Sequence, residues 1–139
     1  HVSTFGGAEL GCPVALKVLE IVSSETFLKH VNEVAGFLGE GVESLRKCYS
    51  HILVEVRQKG LFMGLKMSDY GYGPVMSIAS YNNGIFAVYA DNDRSVLQFL
   101  PPLIIDKNEV KYILERLDKT YEWVKKHPEY LELARSLLR

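Results

Sequence analysis

Two hydroxyl residues and two glycines, Ser3, Thr4, Gly6 and Gly7, stand just ahead of an apolar, helix-like run from Ala8 to Val22. The chemistry this set suits is the holding of a phosphate. Glycine lets backbone come close to a ligand. A helix N-terminus offers unpaired N–H groups and a partial positive charge, and Thr4 adds a neutral hydroxyl donor. The same residues also make an ordinary helix cap with a flexible lead-in, since Ser, Thr and Gly are common there.

Other reactive side chains give weaker patterns. Cys12 and Cys48 lie 36 positions apart, outside any CxxC pair, and no histidine stands at metal-ligand spacing. They read as two reduced thiols on helices of a cytosolic protein. Lys17, Lys29, Lys47, Lys59 and Lys66 read as solvated, because lysine is rarely buried. His30, His51 and His127 fall on helix or loop surfaces. Tyr70, Tyr72, Tyr81 and Tyr89 could line a pocket, although tyrosines on loops and half-buried strands commonly just pack.

The elements that must position these residues follow from periodicity. A first helix runs from Ala8 to Val22, with Pro13 in its early turns, where proline is tolerated. Ser23-Ser24 breaks it and caps a second helix, Glu25 to Cys48, with apolar residues recurring at three- and four-residue steps. Gly36, Gly39 and Gly41 weaken that helix by roughly 1 kcal/mol each relative to Ala, so close packing is expected there. Ile52 to Arg57 and Leu61 to Met67 read as strands around Gln58-Lys59-Gly60. Asp69 to Pro74 is breaker chemistry, Val75 to Tyr81 a short helix, and Ile85 to Ala90 and Ser95 to Phe99 two further strands. Asp106 with Glu109 forms a capping box for a long helix with Val110, Ile113, Leu114, Leu117, Tyr121 and Val124 on its buried face. Pro128 ends it, and Glu129 to Leu138 makes a last short helix. The order predicts an α+β fold, a small and largely antiparallel sheet covered by helices.

Composition bounds the function. At 139 residues, 47% hydrophobic and 24% charged, the chain has the make-up of one ordinary globular domain. Its formal charge is 16 − 17 = −1, without the basic excess of a nucleic-acid or acidic-membrane binder. No apolar run approaches the ~20 residues that span a bilayer.

Four pieces, taken together, resemble the class III aminotransferases, the pyridoxal 5′-phosphate (PLP) group that includes the ornithine, acetylornithine and 4-aminobutyrate enzymes. They are His1 to Ile21 (HVSTFGGAELGCPVALKVLEI), Arg57 to Leu65 (RQKGLFMGL), Asn83 to Phe86 (NGIF) and Leu97 to Ile105 (LQFLPPLII), in the family's order, and the likeness covers roughly Ser3 to Val124. It implies the C-terminal domain of a fold type I PLP enzyme preceded by a helical remnant of the large domain, with residues 1–24 as that remnant and 25–139 as the small domain. The chain opens with His, and family members are far longer, so the resemblance implies a C-terminal portion made by cloning or proteolysis. It further implies a cytoplasmic homodimer that moves amino groups between an amine or amino acid and a 2-oxo acid.

The resemblance also assigns residues. The Schiff-base lysine, and the aspartate that pairs with the pyridine nitrogen, lie upstream of this segment in the family, so the chain alone is expected to be inactive. Thr4 is implied as a contact to the PLP phosphate of the neighbouring subunit, with Ser3 and the Gly6-Gly7 backbone as weaker candidates. Gln98 departs from the pattern: the ornithine and acetylornithine enzymes carry an arginine there, which clamps a carboxylate bidentately. Gln98 then faces a different substrate group, or another arginine substitutes, or it is a plain polar strand residue. A non-catalytic α+β binding or dimerisation module is the alternative reading.

Overall fold

The computed structural model describes residues 4–138. Five helices and four strands follow one another as α1 (Gly11–Val22), α2 (Glu25–Cys48), β1 (Leu53–Lys59), β2 (Phe62–Met67), α3 (Tyr72–Asn82), β3 (Val88–Tyr89), β4 (Val96–Phe99), α4 (Lys107–Lys126) and α5 (Glu129–Leu137). The strands form one antiparallel sheet in the order β1-β2-β4-β3. This is the expected α+β architecture.

The sheet is two-faced because its strands alternate. Met63, Leu65 and Met67 of β2 and Leu97 and Phe99 of β4 are buried, whereas Phe62, Gly64, Lys66 and Gln98 point the other way. Val34, Ala35, Leu38 and Val42 of α2 and Val110, Leu117, Tyr121 and Val124 of α4 close over the buried face. Each fully buried Leu or Met stabilises the fold by roughly 1.5–3 kcal/mol.

Caps fix the long helices. The Phe27 N–H donates to Ser24 Oγ at 3.3 Å and starts α2 at Glu25. Asp106 Oδ1 accepts from the N–H groups of Asn108 and Glu109 at 2.7 and 2.8 Å, and Glu109 Oε2 accepts from the Asp106 N–H at 2.8 Å, completing the expected capping box. Two of the three α2 glycines are explained by close approach: a Cβ at Gly39 would collide with the Gln58 side chain, and one at Gly41 with Leu114 of α4. At Gly36 nothing lies within 4 Å, and nothing in the structure accounts for it.

Three expectations are corrected. Helix α1 begins at Gly11 rather than Ala8, because residues 4–7 and 9–10 are taken up in turns. Helix α3 begins at Tyr72, so Gly73 and Pro74 lie in its first turn, where a missing N–H costs nothing. The expected strand from Ile85 to Ala90 shrinks to Val88–Tyr89, since the Ile85 N–H is used by Ser80 O at 2.9 Å, and the Ala90 N–H reaches Val96 O at 2.8 Å only beyond the ladder.

The apolar stripe of α1 finds no cover. No α1 residue is buried, and Leu10, at its N-cap, Leu16 and Leu19 are 88%, 68% and 60% exposed. No helix among the described residues is long and apolar enough to cross a membrane.

Candidate functional site

Thr4 lies in the turn of residues 4–7, exposed, seven positions before α1 begins. The N-cap of α1 is Leu10, with no side-chain cap bond, so Thr4 is not the helix cap that its residue type allows. The helix terminus itself has little to offer an anion. Cys12 N–H is already donated to Ala8 O at 3.0 Å, and Pro13 has no N–H. What remains on this segment is a loop hydroxyl, followed by Gly7 at φ +78°, a left-handed conformation that glycine adopts without strain. Ser3 lies outside the described residues.

Gln98 lies in the middle of β4 on the face away from the core, and it is exposed. It pairs with Gly64 of β2 on one side and Val88 of β3 on the other. Gly64 pairs in turn with Arg57 of β1. Cross-strand partners share a face, so Arg57, Gly64, Gln98 and Val88 form one row across all four strands. Arg94, in the turn before β4, is exposed and does not belong to that row.

Charge on this outer face is largely paired. Arg57 donates from Nε and Nη2 to the Glu55 carboxylate at 2.8 and 2.9 Å, which lowers the Glu55 pKa from its ordinary value. Lys66 Nζ donates to Asp93 Oδ2 and Ser95 Oγ, both at 2.8 Å. The Lys66 ammonium and the Ser95 hydroxyl bring the Asp93 carboxyl down to about 2. Lys66 is therefore not the free solvated residue its type suggests, whereas Lys17, Lys29, Lys47 and Lys59 are exposed as expected.

Two hollows exist. One of about 320 Å³ lies on the outer face, lined by Arg57, Gln58, Lys59, Phe62, Gly64 and Val96. The other, about 240 Å³, lies between α3, α4 and α5, where Tyr89, Trp123, Tyr130 and Leu133 line it with no acid or base. Of the four tyrosines expected near a pocket, Tyr89 lines this second hollow, Tyr72 packs against the core, and Tyr70 and Tyr81 are exposed. The chemistry available at an ion-bearing face is absent from this apolar one.

Two histidines are structural rather than surface residues. His30 Nε2 lies 3.1 Å from Ile105 O and ties α2 to the loop after β4. His127 stacks on Trp123 with centroids 4.4 Å apart, its Nδ1 2.8 Å from Trp123 O. His51 is exposed as expected. No group of three metal-ligating side chains exists among the described residues.

Sequence reasoning missed Arg57, and the cause is register. A Gln58-Lys59-Gly60 turn would place Arg57 opposite Leu61. The actual link is Gly60-Leu61, with Gly60 at φ +57°, so Lys59 meets Phe62 and Arg57 meets Gly64. The partner of Arg57 thus moves by three positions, and such a slip gives every side chain another neighbour.

Known proteins share the sequence and the fold of this chain. The Aminotransferase class-III family model matches residues 1–121. An uncharacterized aminotransferase of Archaeoglobus fulgidus is 52% identical over 138 residues, 99% of this chain and 32% of its own. The acetylornithine aminotransferase of Rhodobacter capsulatus is 38% identical over 85% of this chain and 29% of its own. The crystal structure of acetylornithine aminotransferase from Elizabethkingia anophelis superposes with a TM-score of 0.77 at 25% identity, over 87% of this chain and 30% of that one. The ornithine aminotransferase of Toxoplasma gondii shares the fold at a TM-score of 0.78. The chain thus spans about a third of the length of the relatives it matches. It belongs to the class III aminotransferase family.

Proposed function

We propose that this chain is the C-terminal portion of a PLP-dependent class III aminotransferase that transfers an amino group between an amine or amino acid and a 2-oxo acid. The observation that carries this reading is the family match across residues 1–121. The outer sheet face supports it by presenting hydrogen-bonding and charged groups in one row. When bound, PLP supplies the electron sink that lets an amino group leave its donor. Thr4 fits a phosphate contact, because its exposed turn lies clear of the α1 cap. Its hydroxyl would donate to the phosphate, with Ser3 beside it. Gln98 would hydrogen-bond a substrate group from the sheet.

Residues 1–24 then belong to the large PLP-binding domain, and 25–139 form the small domain. Support comes from burial: α1 contributes nothing to the core, whereas α2 to α5 all do. The Schiff-base lysine lies outside this chain, so residues 1–139 alone are inactive and do not retain PLP. The whole enzyme is a homodimer in the cytoplasm, acting on small molecules and not on nucleic acid or membrane.

The test is amino transfer by the purified full-length protein loaded with PLP. The donors are 1,4-diaminobutane, ornithine and N-acetylornithine, and the acceptor is 2-oxoglutarate. Glutamate formed from at least one donor is the expected result. No transfer from any of them overturns the reading and favours the non-catalytic module.

A further inference from the structure

We infer that Arg57, two strands away from Gln98, is the residue that anchors the carboxylate of the 2-oxo acid acceptor. This rests on the amino-transfer reading above. Gln98 is neutral and cannot make a charge-assisted pair. Arg57 stands in the same cross-strand row, with only Gly64 between them. Val96 narrows the space above Gly64. A Cβ there would lie 3.3 Å from Val96 Cγ1 and 3.8 Å from Arg57 Cβ. Beside this contact lies the hollow of about 320 Å³, with Arg57 and Lys59 in its wall.

The guanidinium is only partly engaged. Glu55 accepts from Nε and Nη2 at 2.8 and 2.9 Å. Of the five N–H donors of arginine, this leaves the Nη1 pair and one on Nη2 for a second carboxylate. Lys66, on the same face, is taken by Asp93 and Ser95. Arg57 therefore offers the planar fork, and Lys59 adds positive charge in the wall of the same hollow. That combination suits a carboxylate better than a bare amine.

Two measurements on the full-length, PLP-loaded protein test this. In the first, the acceptor KM for 2-oxoglutarate is read with 1,4-diaminobutane as donor. Arg57→Gln is expected to raise it about tenfold or more with a much smaller change in kcat, and Arg57→Lys to fall between. Glu55→Gln is the control for a purely structural pair: it is expected to leave KM within about twofold or lower it, because Glu55 competes for the guanidinium. A KM unmoved by Arg57→Gln, or a Glu55→Gln variant that matches it, overturns the inference. In the second, glutarate binding is measured directly by calorimetry, and Arg57→Gln is expected to weaken it at least tenfold. Glutarate carries neither amino nor oxo group, so this arm still decides the role of Arg57 if no amino transfer is found. Equal glutarate affinities overturn the inference whatever the activity.

Discussion

Gln98 and Gly64 are direct cross-strand partners on the outer face of the sheet, one offering an amide and the other no side chain. Gln98 is exposed on that face, so position 98 is able to accept a longer residue. Gln98→Arg in the full-length enzyme is expected to raise kcat/KM for ornithine or N-acetylornithine relative to 1,4-diaminobutane. The change amounts to about 1–3 kcal/mol of transition-state binding. Paired kinetics on both donor types check it. In Arg57→Gln, the added Gln98→Arg change should restore part of the lost acceptor binding. An unchanged donor ratio would show that Gln98 does not face the substrate.

Thr4→Ala in the full-length enzyme is expected to weaken PLP retention. One hydrogen bond to a charged phosphate is lost, roughly 1.5–3 kcal/mol, or about ten- to a hundredfold in affinity. Dialysis followed by titration of the remaining cofactor measures it. Equal retention would leave Thr4 as a turn residue only.

The bare stripe of α1 should make the 139-residue chain self-associate. Exposed Leu16, Val18 and Leu19 form an apolar patch of the kind monomers avoid. Light scattering should show association, and removal of residues 1–22 should abolish it. Because α1 has no buried residue, that truncation should change unfolding free energy by less than about 1 kcal/mol. A monodisperse full chain, or a truncated one that unfolds, would count against this.

Ser80 is fully buried, and among the described residues its hydroxyl has no hydrogen-bond partner. An unpaired buried hydroxyl costs about 1–3 kcal/mol. Ser80→Ala is therefore expected to be neutral or to stabilise by up to about 1 kcal/mol, read by denaturant unfolding. A clear loss of stability would mean that the hydroxyl has a partner.

The Lys66–Asp93 pair gives the fold an acid limb. Asp93 sits at about 2 in the folded state against an ordinary 3.8. A lowered folded-state pKa stabilises above the unfolded value, and the contribution is lost as pH falls from about 4 through about 2. Asp93→Asn should remove that part of the pH dependence while leaving the slope above pH 5 unchanged, because Asp93 is ionised in both states there. The side chain is 38% exposed, so the effect is small. Melting temperatures of both proteins across this range are the measurement.

Much of the fold was legible because local chemistry dictated it. Ser24 and the three- and four-residue apolar steps set α2. Asp106 and Glu109 did the same for the start of α4. What escaped depended on distant partners. Gly73 and Pro74 read as breakers, yet they sit where helix N–H groups are unpaired anyway, with Gly73 packed against the Arg94 carbonyl. Ile85 to Ala90 alternates like a strand, but its neighbour β4 is only four residues long and cannot ladder with all of it. At the candidate site, the sequence pointed to Gln98 through a family likeness. Arg57 became visible only once the Gly60-Leu61 link fixed the register.

The one tryptophan of the chain, Trp123, is stacked on His127 and lies 5.0 Å from the Tyr130 ring of α5. Its indole is therefore a built-in reporter on the α4–α5 junction and blind to the row at Gln98. Emission from this one fluorophore will change when α5 lifts away or when an apolar molecule enters the hollow it lines. Variants at positions 57, 64 and 98 should leave the emission spectrum unaltered. One optical channel can thus follow the helical end of the domain while kinetics follow the sheet.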